Sequence, residues 1–191
     1  EGIPKEPPDD FFAKAEVAFA DGRNELAKEG AFLEGDCVVY LYPNTDQDDY
    51  ETREVAATGK VISILHSDVS PDEIHEWLDS ESQDFCDVGN TLEYLLDWDN
   101  ETRVKLETCR VLILEWFEVA EKYRGKGLGL KLAKKLLYAA GGKGQCVLIQ
   151  PMQHDNKGKN DVKRLERFWQ GISEEAVYDR DNYTVYVEVF D

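Results

Sequence analysis

Residues 114–130, LEWFEVAEKYRGKGLGL, decide how the chain folds. They close an apolar run that begins at residue 107 (ETCRVLILEWFEV), pass through a turn with three glycines in six residues, and open onto Leu128, Leu132, Leu136 and Ala139 at helical spacing. A run with a continuous apolar middle predicts a strand buried on both faces, at the centre of a sheet. Glycine relieves the steric cost of a sharp reversal, and Gly141-Gly142 ends the helix that follows. Residues 146–150 (CVLIQ) read as a second buried strand, so the segment is a strand, helix, strand unit of the kind that joins parallel strands by a crossover.

Upstream, Ser70-Pro71-Asp72-Glu73 predicts a helix start: Ser at the N-cap, Pro at the first helical position, and Glu three residues after the cap. Ile74, Trp77, Leu78, Phe85 and Val88 give that helix an apolar face. Gly89-Asn90 predicts a break before a second face of Leu92, Leu95 and Leu96, so two packed helices and one kinked helix fit equally well. Residues 36–42 (DCVVYLY) and 53–66 are β-rich and flank an acidic loop, which predicts a hairpin or meander. Phe12, Ala15, Phe19 and Ala20 stand at helical spacing and predict an early helix, which residues 24–28 extend or restart. Residues 1–10 (EGIPKEPPDD) hold three of the six prolines and read as a flexible leader to a single domain over residues 11–191. Downstream, residues 161–170 predict a basic amphipathic helix with Val162, Leu165, Phe168 and Trp169 inward. Residues 176–178 and 184–190 (TVYVEVF) close the chain as alternating strands. The class is therefore α/β (α+β) with a mixed sheet, and there is no internal repeat.

Composition narrows the function. The 191 residues carry 22 Lys plus Arg against 40 Asp plus Glu, a formal net charge of −18. Such a charge repels a phosphate backbone and an anionic membrane surface, so neither nucleic acid nor a membrane is expected as a partner. No run approaches the roughly 18 apolar residues of a membrane span, and a cytoplasmic location is expected. Hydrophobic residues at 42% and aromatics at 11% exclude wholesale disorder. Cys37, Cys86, Cys109 and Cys146 lack CxxC spacing and read as reduced core residues. The charge is bipolar: residues 61–102 hold twelve acids and no Lys or Arg, whereas residues 122–167 hold twelve bases against three acids. This is either two solvated faces of opposite sign or an anion site in the second half with a region hospitable to cations in the first.

Arg124-Gly125-Lys126-Gly127-Leu128-Gly129 is the candidate anion site. A glycine-rich turn lets backbone amides converge on a phosphate, and the helix N-terminus adds about half a positive charge there. The alternative is a turn that merely lets strand and helix pack closely. A P-loop requires Ser or Thr after Gly-Lys, where this chain has Gly127, and the Gly-x-Gly-x-Gly spacing departs from the Gly-x-Gly-x-x-Gly of dinucleotide folds.

Residues 114–130 resemble the acetyl-CoA-binding motif of the GNAT superfamily of N-acyltransferases, whose signature is Arg or Gln, x, x, Gly, x, Gly or Ala. Arg124, Gly127 and Gly129 stand at its three positions, and Val119 and Tyr123 match the valine and aromatic that precede it. The order of predicted elements agrees, with helices early. The resemblance implies a mixed, twisted sheet of six to seven strands flanked by helices, whose two central strands splay to admit the pantetheine arm. Backbone groups near Phe117 and Val119 would hold that arm. The amides of Gly125, Lys126, Gly127, Leu128 and Gly129 would cradle the pyrophosphate, and Lys157, Lys159 and Lys163 would reach the remaining phosphate. The expected activity is acetyl-CoA-dependent acyl transfer, with no metal, to a primary amine of a cationic small molecule or protein. The acceptor would lie beside the acidic residues 67–101. Self-association through the closing strands is left open.

Three departures from the family pattern bear on mechanism. Trp169 stands where many members have the tyrosine that protonates the departing thiolate, Val162 where asparagine is common, and Ser173 where glycine is usual. Either another donor such as Tyr178 or water serves, or CoA leaves as thiolate, or the protein binds acyl-CoA without turnover, as a sensor or interaction module would. An acceptor amine must also lose a proton, which makes Glu118, then Glu115, the candidate bases. Their odd separation puts them on opposite faces of a regular strand, and only a bulge brings both to one site. His66 and His75 show no metal spacing, His154 would lie near the cofactor channel, and Trp77, Trp98 and Trp116 read as core or pocket wall.

Overall fold

A computed structural model describes residues 12–21, 32–42, 53–65, 70–98, 110–141, 144–150 and 159–190. Its strands are β1 (Phe12–Asp21), β2 (Phe32–Tyr42), β3 (Glu54–Leu65), β4 (Arg110–Val119), β5 (Gln145–Ile149), β6 (Val177–Asp179) and β7 (Thr184–Phe190). The helices are α1 (Pro71–Glu81) and α2 (Gln83–Trp98) between β3 and β4, α3 (Gly129–Gly141) between β4 and β5, and α4 (Lys159–Gln170) between β5 and β6. The seven strands form one mixed sheet in the order β1-β2-β3-β4-β5-β7-β6. Only β4 and β5, the pair joined through α3, run parallel. The predicted α/β (α+β) class, a mixed sheet of six to seven strands flanked by helices, is the observed one, with seven strands.

The apolar middle of β4 explains its place at the centre. Val111 and Ile113 join the core beneath α1 and α2, with Ile62, Ile64, Trp77, Leu78 and Leu92. Leu112 and Leu114 join the core beneath α3, with Val39, Val61, Leu132, Leu136 and Leu137. Alternate residues of one strand thus feed two cores, and each buried aliphatic contributes about 1.5–3 kcal/mol. Strand β5 divides likewise, Cys146 and Leu148 to one side and Val147 and Ile149 to the other. The closing strand β7 is also buried on both faces from Thr184 to Val187, since it lies between β5 and β6 rather than at an edge.

Two expectations are corrected. Residues 12–21 form a strand and not a helix, paired with β2 over its whole length from Phe12–Tyr42 to Asp21–Leu33. Ala13, Ala15 and Val17 alternate inward against the α3 core, while Glu16 pairs outward with Arg53 at 3.2 Å. Phe19 stands opposite Gly35, where a Cβ would meet its ring at 2.7 Å. The period of two therefore outcompetes the helical spacing of Phe12, Ala15 and Phe19, because an adjacent strand with a gap for the ring is available. Residues 1–10 and 24–28 lie outside the described residues.

The second correction concerns Gly89-Asn90, through which α2 runs without a break; the interruption is at Ser82, in extended conformation (φ −171°, ψ 163°). Gly89 lies where α2 crosses α1, since a Cβ there would sit 3.2 Å from His75 Cδ2. Close helix packing offsets the roughly 1 kcal/mol that glycine costs inside a helix. Within α3 the inward set is Leu132, Ala133, Leu136, Leu137 and Ala140, whereas Ala139 is exposed.

The predicted start of α1 is present as a full capping box. Glu73 N–H donates to Ser70 Oγ at 3.3 Å, and Ser70 N–H donates to Glu73 Oε2 at 2.8 Å. Ser70→Ala is expected to cost about 1 kcal/mol, lowering the thermal midpoint by roughly 2–4 °C in a melt followed by circular dichroism. No helix among the described residues is long and apolar enough to cross a membrane.

Candidate functional site

The site begins at a bulge in β4. Val61 of β3 pairs with Leu114 while its neighbour Lys60 pairs with Trp116, so Glu115 is an extra residue without a cross-strand partner. The bulge resets the alternation. Leu112 and Leu114 face α3 before it, and Phe117 and Val119 pack on that same side after it. Trp116 and Glu118 consequently face the other side of the sheet, the face to which Val111 and Ile113 point. The bulged Glu115 joins them, its carboxylate 3.1 Å from Lys60 Nζ, which also lies 3.0 Å from Glu34. Both candidate carboxylates thus share one face, the arrangement a regular strand forbids. Partial burial opposes the charge on Lys60, yet the two carboxylates hold it above the usual lysine range.

Beyond the bulge, β4 has no partner on one edge among the described residues. Its ladder with β5 runs from Val111–Cys146 to Leu114–Ile149 and stops, because β5 ends at Ile149. Among the described residues no strand lies beside the stretch that carries Phe117 and Val119 on that edge.

The turn follows directly. A 3-10 turn at Glu121–Tyr123 leads into Gly125 and Gly127, which adopt φ of +71° and +73°. Both values lie in the left-handed region that favours glycine. Alternating handedness of this kind turns successive amides toward one concavity. The amides of Lys126, Gly127 and Leu128 donate to no other group among the described residues. Leu128 carbonyl accepts from Leu132 N–H at 3.0 Å and starts α3. A Cβ on Gly125 or Gly127 would meet nothing within 4 Å, whereas one on Gly129 would lie 3.1 Å from the Phe168 ring. The first two glycines shape an open cradle, and the third lets α3 pack against α4.

This turn lines a cleft of about 400 Å³ together with Val119, Tyr123, Arg124, Leu130, Arg164 and Phe168. Arg164 went unremarked in the sequence. The signal was there, since Arg164 is four residues before Phe168 and shares its helix face. Of the basic residues expected to reach a phosphate, Lys163 lines a different cleft, while Lys157 and the side chain of Lys159 lie outside the described residues.

Arg124 folds back on the strand end. Its Nε donates to the Val119 carbonyl at 2.7 Å and its Nη2 to Glu118 at 2.5 Å. Tyr123 and Lys122 both donate to Glu54 at the start of β3, and these bonds hold the Glu54 carboxyl below the usual range. Burial and the adjacent Glu54 push the Tyr123 phenol up, so it stays a protonated donor. The turn is thereby fastened to the sheet at Glu54 and at Glu118.

Trp169 is buried at 6% exposure, edge-on to Phe117 and Phe168 with ring centres 5.8 and 4.8 Å away. Tyr178 does not approach the cradle; it lines the other side of α4. Ser173 Oγ accepts from Glu175 N–H in the turn after α4. His75 is held by Asn90 at 3.0 Å between α1 and α2, and Trp77 is core and Trp116 half-buried. His66, His154 and the Trp98 side chain lie outside the described residues. Cys37 and Cys146 are buried and unbridged, Cys86 is half-buried, and Cys109 lies outside the described residues. Burial, then Asp36, pushes the Cys37 thiol up to about 12, which makes it inert as a nucleophile near neutral pH. No cluster able to hold a metal ion occurs among the described residues.

The fold and site define a mixed α/β domain with an open glycine turn at the N-terminus of its crossover helix. Comparison adds no family to that description: no family model matches the chain, and neither a curated protein nor a solved structure does.

Proposed function

We propose that this chain is an acyl-CoA-dependent N-acyltransferase of the GNAT type, cytoplasmic, acetylating a primary amine of a cationic small molecule or protein by direct transfer. The observation that carries the reading is the continuity of one surface. The edge of β4 at Phe117 and Val119, without a partner among the described residues, runs straight into the left-handed glycine cradle, as a donor with an extended arm and a pyrophosphate requires. The amides at Lys126, Gly127 and Leu128 and the Arg164 guanidinium suit the phosphates.

In the transfer, an acceptor ammonium gives one proton to a carboxylate, its nitrogen bonds to the thioester carbonyl and sheds a second proton, the C–S bond breaks, and the departing thiolate takes up that second proton directly or through water. Glu118 is the base of this account, with Glu115 beside it on the face shared with the acidic helices α1 and α2. A pyrophosphate in the cradle competes with Glu118 for Arg124, so donor binding frees the carboxylate as the acceptor arrives. Glu115 is already committed to Lys60, which makes it the weaker candidate.

Glu118→Gln is expected to lower kcat about a hundredfold or more while leaving acetyl-CoA affinity unchanged or tighter. Steady-state kinetics on a panel of amines beside calorimetric titration of the donor separates the two effects. A variant with unaltered kcat removes Glu118 from the mechanism. The buried indole of Trp169, where the resemblance expects a phenol, favours a second reading: a sensor or interaction module that binds acyl-CoA without turnover. That protein would bind acetyl-CoA and transfer to no amine in the panel.

A further inference from the structure

We propose that the cleft between α4 and the β6–β7 hairpin is a second ligand site, distinct from the cradle, that takes a phosphate-bearing nucleotide. It is an open cleft of about 430 Å³ lined by Lys163, Arg167 and Arg180, by Tyr178 and Tyr183, and by one acidic residue, Glu166. That volume suits a small organic ligand.

The charge is what singles it out. In a chain with 40 acids against 22 bases, three cations converge on one concavity, and none of the three is in an ion pair among the described residues. Solvated faces of so acidic a protein would supply partners for them. Helix α4 separates the two clefts: Arg164 and Phe168 look into the cradle, whereas Lys163 and Arg167, one turn apart, look into the second cleft.

The aromatic part is held by an unusual backbone. Tyr183 has φ +50°, among the described residues the one non-glycine residue in the left-handed region, although Asn182 beside it tolerates that conformation far better. The result is a tyrosine left 59% exposed at the cleft. A local rule broken for an exposed tyrosine points to use of that tyrosine. The hairpin is hydrogen-bonded to α2 and to its own turn beneath it. Asp179 accepts from Thr91 Oγ1 on α2 at 2.9 Å, from Asn182 Nδ2 at 2.8 Å and from the Asp181 amide at 3.0 Å. Cations for a phosphate and phenol faces for a base are the recognition chemistry of a nucleotide, and a preordered hairpin lowers the entropic cost of binding it.

The test uses the full chain labelled with nitrogen-15 and titrated with ADP, with inorganic phosphate and adenosine as separate arms, in both the native sequence and Gly127→Lys. This variant blocks the cradle, so failure of the acyl-CoA reading does not touch the result. The expected outcome is saturable movement of the Arg180 and Tyr183 amides by ADP in both proteins, more tightly than by phosphate or adenosine alone. Arg180→Ala should weaken that binding about tenfold, as loss of a charge-assisted contact does. Tyr183→Gly should raise the thermal midpoint yet weaken ADP, a pairing that a purely structural tyrosine would not give. Movement confined to residues 125–129, phosphate equalling ADP, or no saturable movement would each overturn the proposal.

Discussion

Gly127→Lys is expected to weaken acetyl-CoA and CoA at least a hundredfold in a calorimetric titration while the protein stays folded. Two effects compete at this position. The new ammonium attracts phosphate, but an exposed charge contributes only about 0–1 kcal/mol. Against it, Gly127 lines the cleft, so a lysine side chain there takes up space beside the cradle amides. Each lost hydrogen bond to a charged group costs about 1.5–3 kcal/mol, so loss of two outweighs the added charge and gives the stated factor. Forcing φ +73° on a residue with a Cβ costs about 1–2 kcal/mol, which lowers the thermal midpoint by several degrees without unfolding the domain. Unchanged affinity in the folded variant would mean that the pyrophosphate is held elsewhere.

Leu136→Ala carries the largest expected loss of stability, about 2–5 kcal/mol. Leu136 is fully buried on α3 and reaches across to β3, where its Cδ1 lies 2.9 Å from the place a Gly59 Cβ would occupy. Glycine at 59 lets the helix approach the sheet closely, so neither backbone can move in to refill the space left by the truncated side chain. A domain of 5–15 kcal/mol net stability loses a large share of it. Urea unfolding followed by far-UV circular dichroism reads the effect directly as a lower midpoint at constant slope. A change below about 1 kcal/mol would show that α3 does not seat over β3 as described.

Much of this architecture is legible in the sequence because patterns of burial there agree with local chemistry. The continuous apolar middle of β4 announces a central strand, and the Ser70 to Glu73 cap announces α1. Both succeed because propensity and packing point the same way. The early residues fail because FAKAEVAFA satisfies two periods at once. Only the pairing with β2, and the space above Gly35 that accepts Phe19, decides for a strand. Gly89 misleads for a related reason, since a glycine chosen for helix crossing looks locally like a helix stop.

The candidate site divides along the same line. The glycine turn is readable, as its left-handed residues need glycine whatever surrounds them. The bulge at Glu115 is not, because an extra residue in one strand is defined only against its partner, and it alone puts Glu115 and Glu118 on one face. The ion pair between Glu118 and Arg124 likewise depends on where separate elements meet.

The central claim is that the β4 edge and the turn after it form one acyl-CoA site. Titrating acetyl-CoA into the labelled native protein tests it most directly. The account predicts micromolar, saturable binding that moves the amides of Phe117, Val119 and residues 125–129 together, with Arg164 following. Absence of binding, or binding that leaves those amides still, would contradict it.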